Sequence, residues 1–101
     1  MQTFHITASH SVDNCGYGNL HRSQELLKAL QNLTILEKKW KCKLDNYYWD
    51  IVGHTCYLVV KADNHYQLNM FLLEVLGGVN GVRSSYNIVP VITLEEMKIK
   101  R

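Results

Sequence analysis

Proline is nearly missing from this sequence: Pro90 is the only one in 101 residues. Glycine is sparse as well, at six, and no low-complexity tract occurs. These shortages argue against a disordered or fibrous chain. No apolar run approaches the roughly 20 residues that cross a bilayer. The start, Met1-Gln2-Thr3-Phe4-His5, has no positive region followed by an apolar one, so no secretory signal is expected. Charge bias is weak. Eleven Lys and Arg stand against nine Asp and Glu, a net charge of +2, which falls short of the basicity expected of a dedicated nucleic-acid binder. The three cysteines, at 15, 42 and 56, are odd in number and lack C-x-x-C spacing. That excludes a disulfide framework and suits reduced thiols in a cytoplasm. The expectation is a cytoplasmic protein with neither a membrane nor a nucleic acid as its partner.

What is present is the material of one domain, residues 1–101, with 47% hydrophobic residues to form a core. The stretch Thr3 to Cys15 is central. Phe4, Ile6 and Ala8 alternate with His5, Thr7 and Ser9, the period of a strand with two unlike faces. A polar loop follows from Ser11 to Gly18, longer than most strand-to-helix connections. Loops of this kind often carry function.

A first helix is expected from an Asn19 cap to about Trp40, with Leu26, Leu30, Leu33, Leu36 and Trp40 as its apolar stripe and Leu27 widening it. A second strand spans Lys41 to Trp49. Strict alternation puts Cys42, Leu44, Asn46 and Tyr48 on one face and Lys43, Asp45, Tyr47 and Trp49 on the other. Asp50 to Gly53 makes a turn, and a third strand runs from His54 to Ala62. Asn64, with Gln67 three positions on, resembles a capping box. Leu68, Phe71, Leu72, Val75 and Leu76 then mark the buried face of a second helix that Gly77-Gly78 closes. A fourth strand spans Val82 to about Val89, and Pro90 either makes it an edge or ends it. Thr93 caps a short terminal helix.

The order is βαββαβ, an α+β chain. Right-handed crossovers fold such a chain into a four-stranded antiparallel sheet of order 4-1-3-2 with both helices on one face, the ferredoxin-like architecture. Phe4, Ile6, Ala8, Cys56, Leu58 and Val60 then lie under the helices. His5, Thr7, Ser9, Tyr57, Val59 and Lys61 lie on the open face, with Tyr47 and Trp49 expected beside them. An aromatic open face asks for a cover. A second copy of the sheet would make a homodimer, a dimeric α+β barrel. Single-stranded nucleic acid and a small ligand are the alternatives. Nucleic acid fits worst, because Thr55 to Lys61 offers only Tyr57 and no glycine.

One edge of this topology collects His10, Cys15, Trp49, Asp50, His54 and Arg83 from separate stretches. Two imidazoles, a thiol and a carboxylate are the donor types of a transition-metal site or of acid–base chemistry near neutral pH. His10, His54 and Cys15 form the candidate metal set. Asp50 and Trp49 join them as candidate ligand-binding residues. The simpler reading makes the histidines strand-end residues with local hydrogen bonds. Cys42 and Cys56 fall on the helix side and read as core.

Residues 3 to 92 resemble the dimeric α+β barrel superfamily. More narrowly, His10-Ser11-Val12-Asp13-Asn14-Cys15 and Gly53-His54-Thr55-Cys56-Tyr57 look like a family of small uncharacterised prokaryotic proteins with a His-Ser-x-x-x-Cys-Pro loop and a His-Thr-x-Tyr strand. Gly16 stands where that family has proline. The superfamily includes cofactor-free monooxygenases, isomerases, haem-degrading enzymes and metal-binding members, so the resemblance implies a fold and a dimer but no single reaction. The expected function is a small molecule- or metal-binding dimer with its site at His10, Cys15 and His54. Catalysis is left open. The alternative is a non-catalytic regulatory or interaction module acting through its dimer or its open face.

Overall fold

The computed structural model describes residues 1–10, 20–50, 52–76 and 84–99. Its elements run β1 (Gln2–His10), α1 (Leu20–Gln31), α2 (Leu33–Trp40), β2 (Lys43–Asp50), β3 (Thr55–Ala62), α3 (His65–Val75), β4 (Ser84–Val91) and α4 (Leu94–Ile99). The four strands form one antiparallel sheet ordered β2-β3-β1-β4, which read from the other rim is the expected 4-1-3-2. The chain is thus α+β. No described helix is long and apolar enough to cross a membrane.

The alternation in β1 does what its period predicts. Phe4, Ile6 and Ala8 pair across to Val60, Leu58 and Cys56, and all six are buried. α3 lies over them. Leu68, Phe71, Leu72, Val75 and Leu76 are buried in the same core, with Leu33, Leu36 and Trp40 of α2 packed against it. α3 starts as its sequence asks: the Asn64 side chain accepts a hydrogen bond from the Gln67 amide at 2.9 Å. Its Gly77-Gly78 close, the Asn19 cap and the Ser11 to Gly18 loop lie outside the described residues.

The expected first helix is two helices. Asn32 interrupts it, because its side-chain amide donates to the Lys28 carbonyl at 3.0 Å while its backbone N–H is shared between Lys28 and Ala29. Such local bonds compete with the regular helical pattern. Leu27 does not widen the stripe; it is exposed. α2 ends in a left-handed cap at Lys41, after which the Cys42 amide donates to the Glu37 carbonyl at 3.1 Å. Glu37 also reaches forward, its carboxylate accepting from the Leu44 amide at 2.9 Å, so α2 and β2 are tied at their junction.

β2 departs from the expected strand in a way that matters. Leu44 pairs with Val60 and Asn46 with Val59, leaving Asp45 as an extra residue. A bulge of this kind reverses every later side chain. Tyr47 and Trp49 therefore pair with Leu58 and Cys56 on the helix side, not on the open face as strict alternation implied. Tyr48 pairs with Tyr57 on the open face instead.

β4 runs through Pro90 to Val91 and forms the rim beside β1, so the proline sits within an edge strand and does not end it. The chain then turns across the open face. The Glu96 amide donates to the Thr93 hydroxyl at 3.1 Å, capping α4, and the Glu96 carboxylate accepts from Thr3 at 3.3 Å. Thr3 lies on the open face by register, yet it is only 1% exposed. α4 covers that end.

Candidate functional site

The contact between β1 and the β3 side of the sheet continues one step past the last ladder pair, Ser9 with Thr55. The His10 amide donates to the His54 carbonyl at 3.1 Å, which sets the two histidines side by side at the end of the sheet. Their ring centres are 5.6 Å apart, with the planes at 76°. His10 Nε2 and His54 Nδ1 are both shut away from solvent, and the latter has no hydrogen bond among the described residues. Of the residues nominated from sequence for the site, these two are brought together.

The turn that presents His54 is built from its neighbours. The Asp50 carboxylate accepts from the Gly53 amide at 2.9 Å, and the Thr55 hydroxyl donates to the Gly53 carbonyl at 3.1 Å. A β-carbon on residue 53 would stand 2.4 Å from Asp50 Oδ2, so a larger residue there would push the Asp50 carboxylate out of its present position. His54 itself is left-handed, with φ 53°. That is an uncommon conformation for a residue with a side chain. Asp50 thus works on the backbone of the turn through one carboxylate oxygen. The sequence reading placed a turn at Asp50 to Gly53 but gave Gly53 and Thr55 no part in holding His54. The Asp-x-x-Gly spacing at 50–53 was the available signal, since an aspartate commonly closes a turn onto a nearby amide.

Trp49 lies on the helix side one pair further along, edge-on to Tyr47 with ring centres 5.5 Å apart. It is 44% exposed. Cys15 and Arg83 lie outside the described residues. Among the described residues, no group of three or more His, Cys, Asp or Glu side chains is placed to hold a metal ion.

The remaining thiols are core groups, as expected. Cys42 and Cys56 are both buried. Burial, reinforced by the negative charge of Asp63, pushes the Cys42 thiol up to about 11. A thiol held protonated in this way is a poor nucleophile and a poor metal ligand. Glu74 is the other perturbed group. Burial pushes its carboxyl up, but hydrogen bonds from Trp40 Nε1 and Lys39, together with the lysine charge, outweigh that and hold it below the ordinary glutamate value. Its partners are all structural, joining α3 to the end of α2.

The open face carries Asn46 and Tyr48 from β2, Tyr57, Val59 and Lys61 from β3, His5, Thr7 and Ser9 from β1, and Val89 from β4. Tyr48 is 59% exposed, its partner Tyr57 is exposed to a lesser degree, and Val89 is exposed on the opposite rim. His5 leans on Tyr57 with ring centres 6.3 Å apart. Lys61 pairs with Asp45 at 3.7 Å.

No protein-family model, no curated protein and no solved structure matches the chain.

Proposed function

We propose that this protein binds a small molecule or a metal ion at the end of its sheet, between His10 and His54, and that it works as a homodimer of ferredoxin-like protomers in the manner of the dimeric α+β barrel superfamily. One observation carries the site: the imidazole at the end of β1 and the imidazole of the turn before β3 stand 5.6 Å apart with a nitrogen of each buried. Imidazoles so placed can accept or donate a proton, or ligate a metal. Cys15, five residues beyond His10, is the further donor the sequence offers. Trp49 and Tyr47 supply aromatic surface on the same side of the sheet. The dimer is supported by the open face, where tyrosine and valine side chains from three strands are left exposed. A second copy of that face is a self-complementary cover. An odd number of cysteines without C-x-x-C spacing supports a cytoplasmic setting.

The second reading is a module whose function is the open face itself, favoured by the exposed Tyr48–Tyr57 pair. The test compares wild-type protein with His10→Ala and His54→Ala, each checked for folding by circular dichroism. Co-purified small molecules are read by mass spectrometry and metals by elemental analysis. The site reading expects a ligand that both variants lose. Folded variants that retain the same ligands in the same amounts would sink it and favour the second reading.

A further inference from the structure

We infer that the His10–His54 pair is a two-imidazole seat for a divalent transition-metal ion of the zinc, nickel or copper kind. This rests on the site reading above and narrows its ligand to one chemical class.

The spacing of the rings is the first support. A zinc–nitrogen bond is ~2.0–2.1 Å, and a ring nitrogen lies about 1.1 Å from the imidazole centre, so each ring centre stands ~3.2 Å from a bound ion. Two rings at the tetrahedral angle then lie ~5.2 Å apart, and at an angle of about 120° they lie ~5.5 Å apart. The observed 5.6 Å lies just beyond that range, so the ring centres are close to the separation that a shared ion requires.

The buried nitrogen of His54 is the second. His54 Nδ1 is removed from water and has no hydrogen bond among the described residues, a costly condition for a polar atom. A bound cation satisfies it directly.

The third is the backbone. Two described residues other than glycine have positive φ, Lys41 and His54. Lys41 terminates α2, an ordinary use of that conformation. His54 terminates no helix. It is held left-handed by Asp50, Gly53 and Thr55 from one side and by the His10 amide from the other. Strain fixed by several independent bonds is a mark of a functional position. Here it sets the imidazole beside His10.

The donor type decides the class of ion. Imidazole nitrogen suits zinc, copper and nickel, whereas magnesium and calcium take oxygen. The pair supplies two of the ligands such an ion takes.

The experiment titrates purified, chelator-stripped protein with ZnCl2 and NiCl2 by calorimetry, with millimolar MgCl2 present throughout. The variants are His10→Gln, His54→Asn, which tolerates the left-handed backbone, and His65→Gln as a control histidine far along the sheet. We expect one ion per chain. Loss of an outer partner that merely orients a ligand weakens metal binding about 10–100-fold, so loss of either imidazole should weaken it at least that much. His65→Gln should bind as wild type. X-ray absorption on the zinc-loaded wild-type protein needs no variant to fold, and should show imidazole nitrogen at ~2.0–2.1 Å. No binding, equal binding by all variants, or a spectrum without imidazole would overturn the assignment. If a small organic molecule is lost with His10 and His54 while ions do not bind, the metal assignment falls and the site reading stands. If neither ions nor small molecules distinguish wild type from the two variants, both fall.

Discussion

Glu74 offers the most exposed test of how this fold is held. Its carboxylate accepts from Trp40 Nε1 and from Lys39 at 3.0 Å, joining α3 to the last turn of α2. Glu74→Ala leaves the half-buried indole N–H without its acceptor, at a cost of ~1–3 kcal/mol. The lysine, more than half exposed, adds ~0–1 kcal/mol. A total near ~2 kcal/mol should lower the thermal midpoint by about 8–16 °C in a domain of this size. Glu74→Gln keeps an acceptor and loses only the charge, so it should cost roughly half as much. The pH dependence follows from the direction of the shift. The native carboxyl titrates below its unfolded value, so its stabilisation is complete above the unfolded glutamate pKa, ~4.3, and is lost as pH falls through the lower native value. Urea unfolding followed by tryptophan fluorescence, repeated from neutral to acid pH, measures both effects. Wild type and Glu74→Ala should differ by the full amount at neutral pH and by roughly half of it in acid, where the protonated carboxyl still accepts from the indole but has lost its charge. A neutral-pH difference below ~0.5 kcal/mol, the scatter of ordinary surface changes, would refute the reasoning, as would a difference that stays constant through the carboxylate range.

Two further outcomes are expected. Val59→Asp should convert the proposed homodimer to a monomer or an aggregate in sedimentation velocity, since an unpaired charge would be buried between two open faces; wild-type protein that is already monomeric at micromolar concentration rejects the dimer. Deleting Asp45 should let β2 pair with β3 without interruption while Tyr47 and Trp49 stay on the helix side, because the pairs on either side of the bulge are then consecutive. Only the partly exposed pair with Lys61 is lost, so the urea midpoint should report a change below ~1 kcal/mol; a loss above ~3 kcal/mol would mean the bulge itself holds the strand.

Where a periodicity was unbroken, the sequence could be read through to the packing. Phe4, Ile6 and Ala8, and the run from Leu68 to Leu76, are buried as their spacing requires. Asn64 and Thr93 cap their helices for the reason their side chains suggest. The misreadings come from single residues that break a period without announcing it. Asp45 looks like any polar strand residue, yet as a bulge it exchanges the faces of Tyr47, Tyr48 and Trp49. Asn32 sits inside an apolar stripe that continues past it, and only its bond to Lys28 ends α1. Thr3 falls on the face read as open, and nothing local tells that α4 returns to cover it. The pairing of His10 with His54 was legible because antiparallel register alone delivers it. The left-handed turn that presents His54 was not, because it depends on a glycine, a carboxylate and a hydroxyl acting together.

The two rims of the sheet have a bearing on crowding. One rim is β2, whose ladder is dislocated at Asp45; the other is β4, which carries Pro90 near its end. Neither presents the long, regular row of amides and carbonyls onto which a strand from another molecule could zip. Stacking through the rims would propagate without limit, each added chain exposing a fresh rim to the next. Meeting through the broad face is self-terminating, since two faces consume each other. The irregularities at Asp45 and Pro90 therefore work against rim-to-rim growth into fibres.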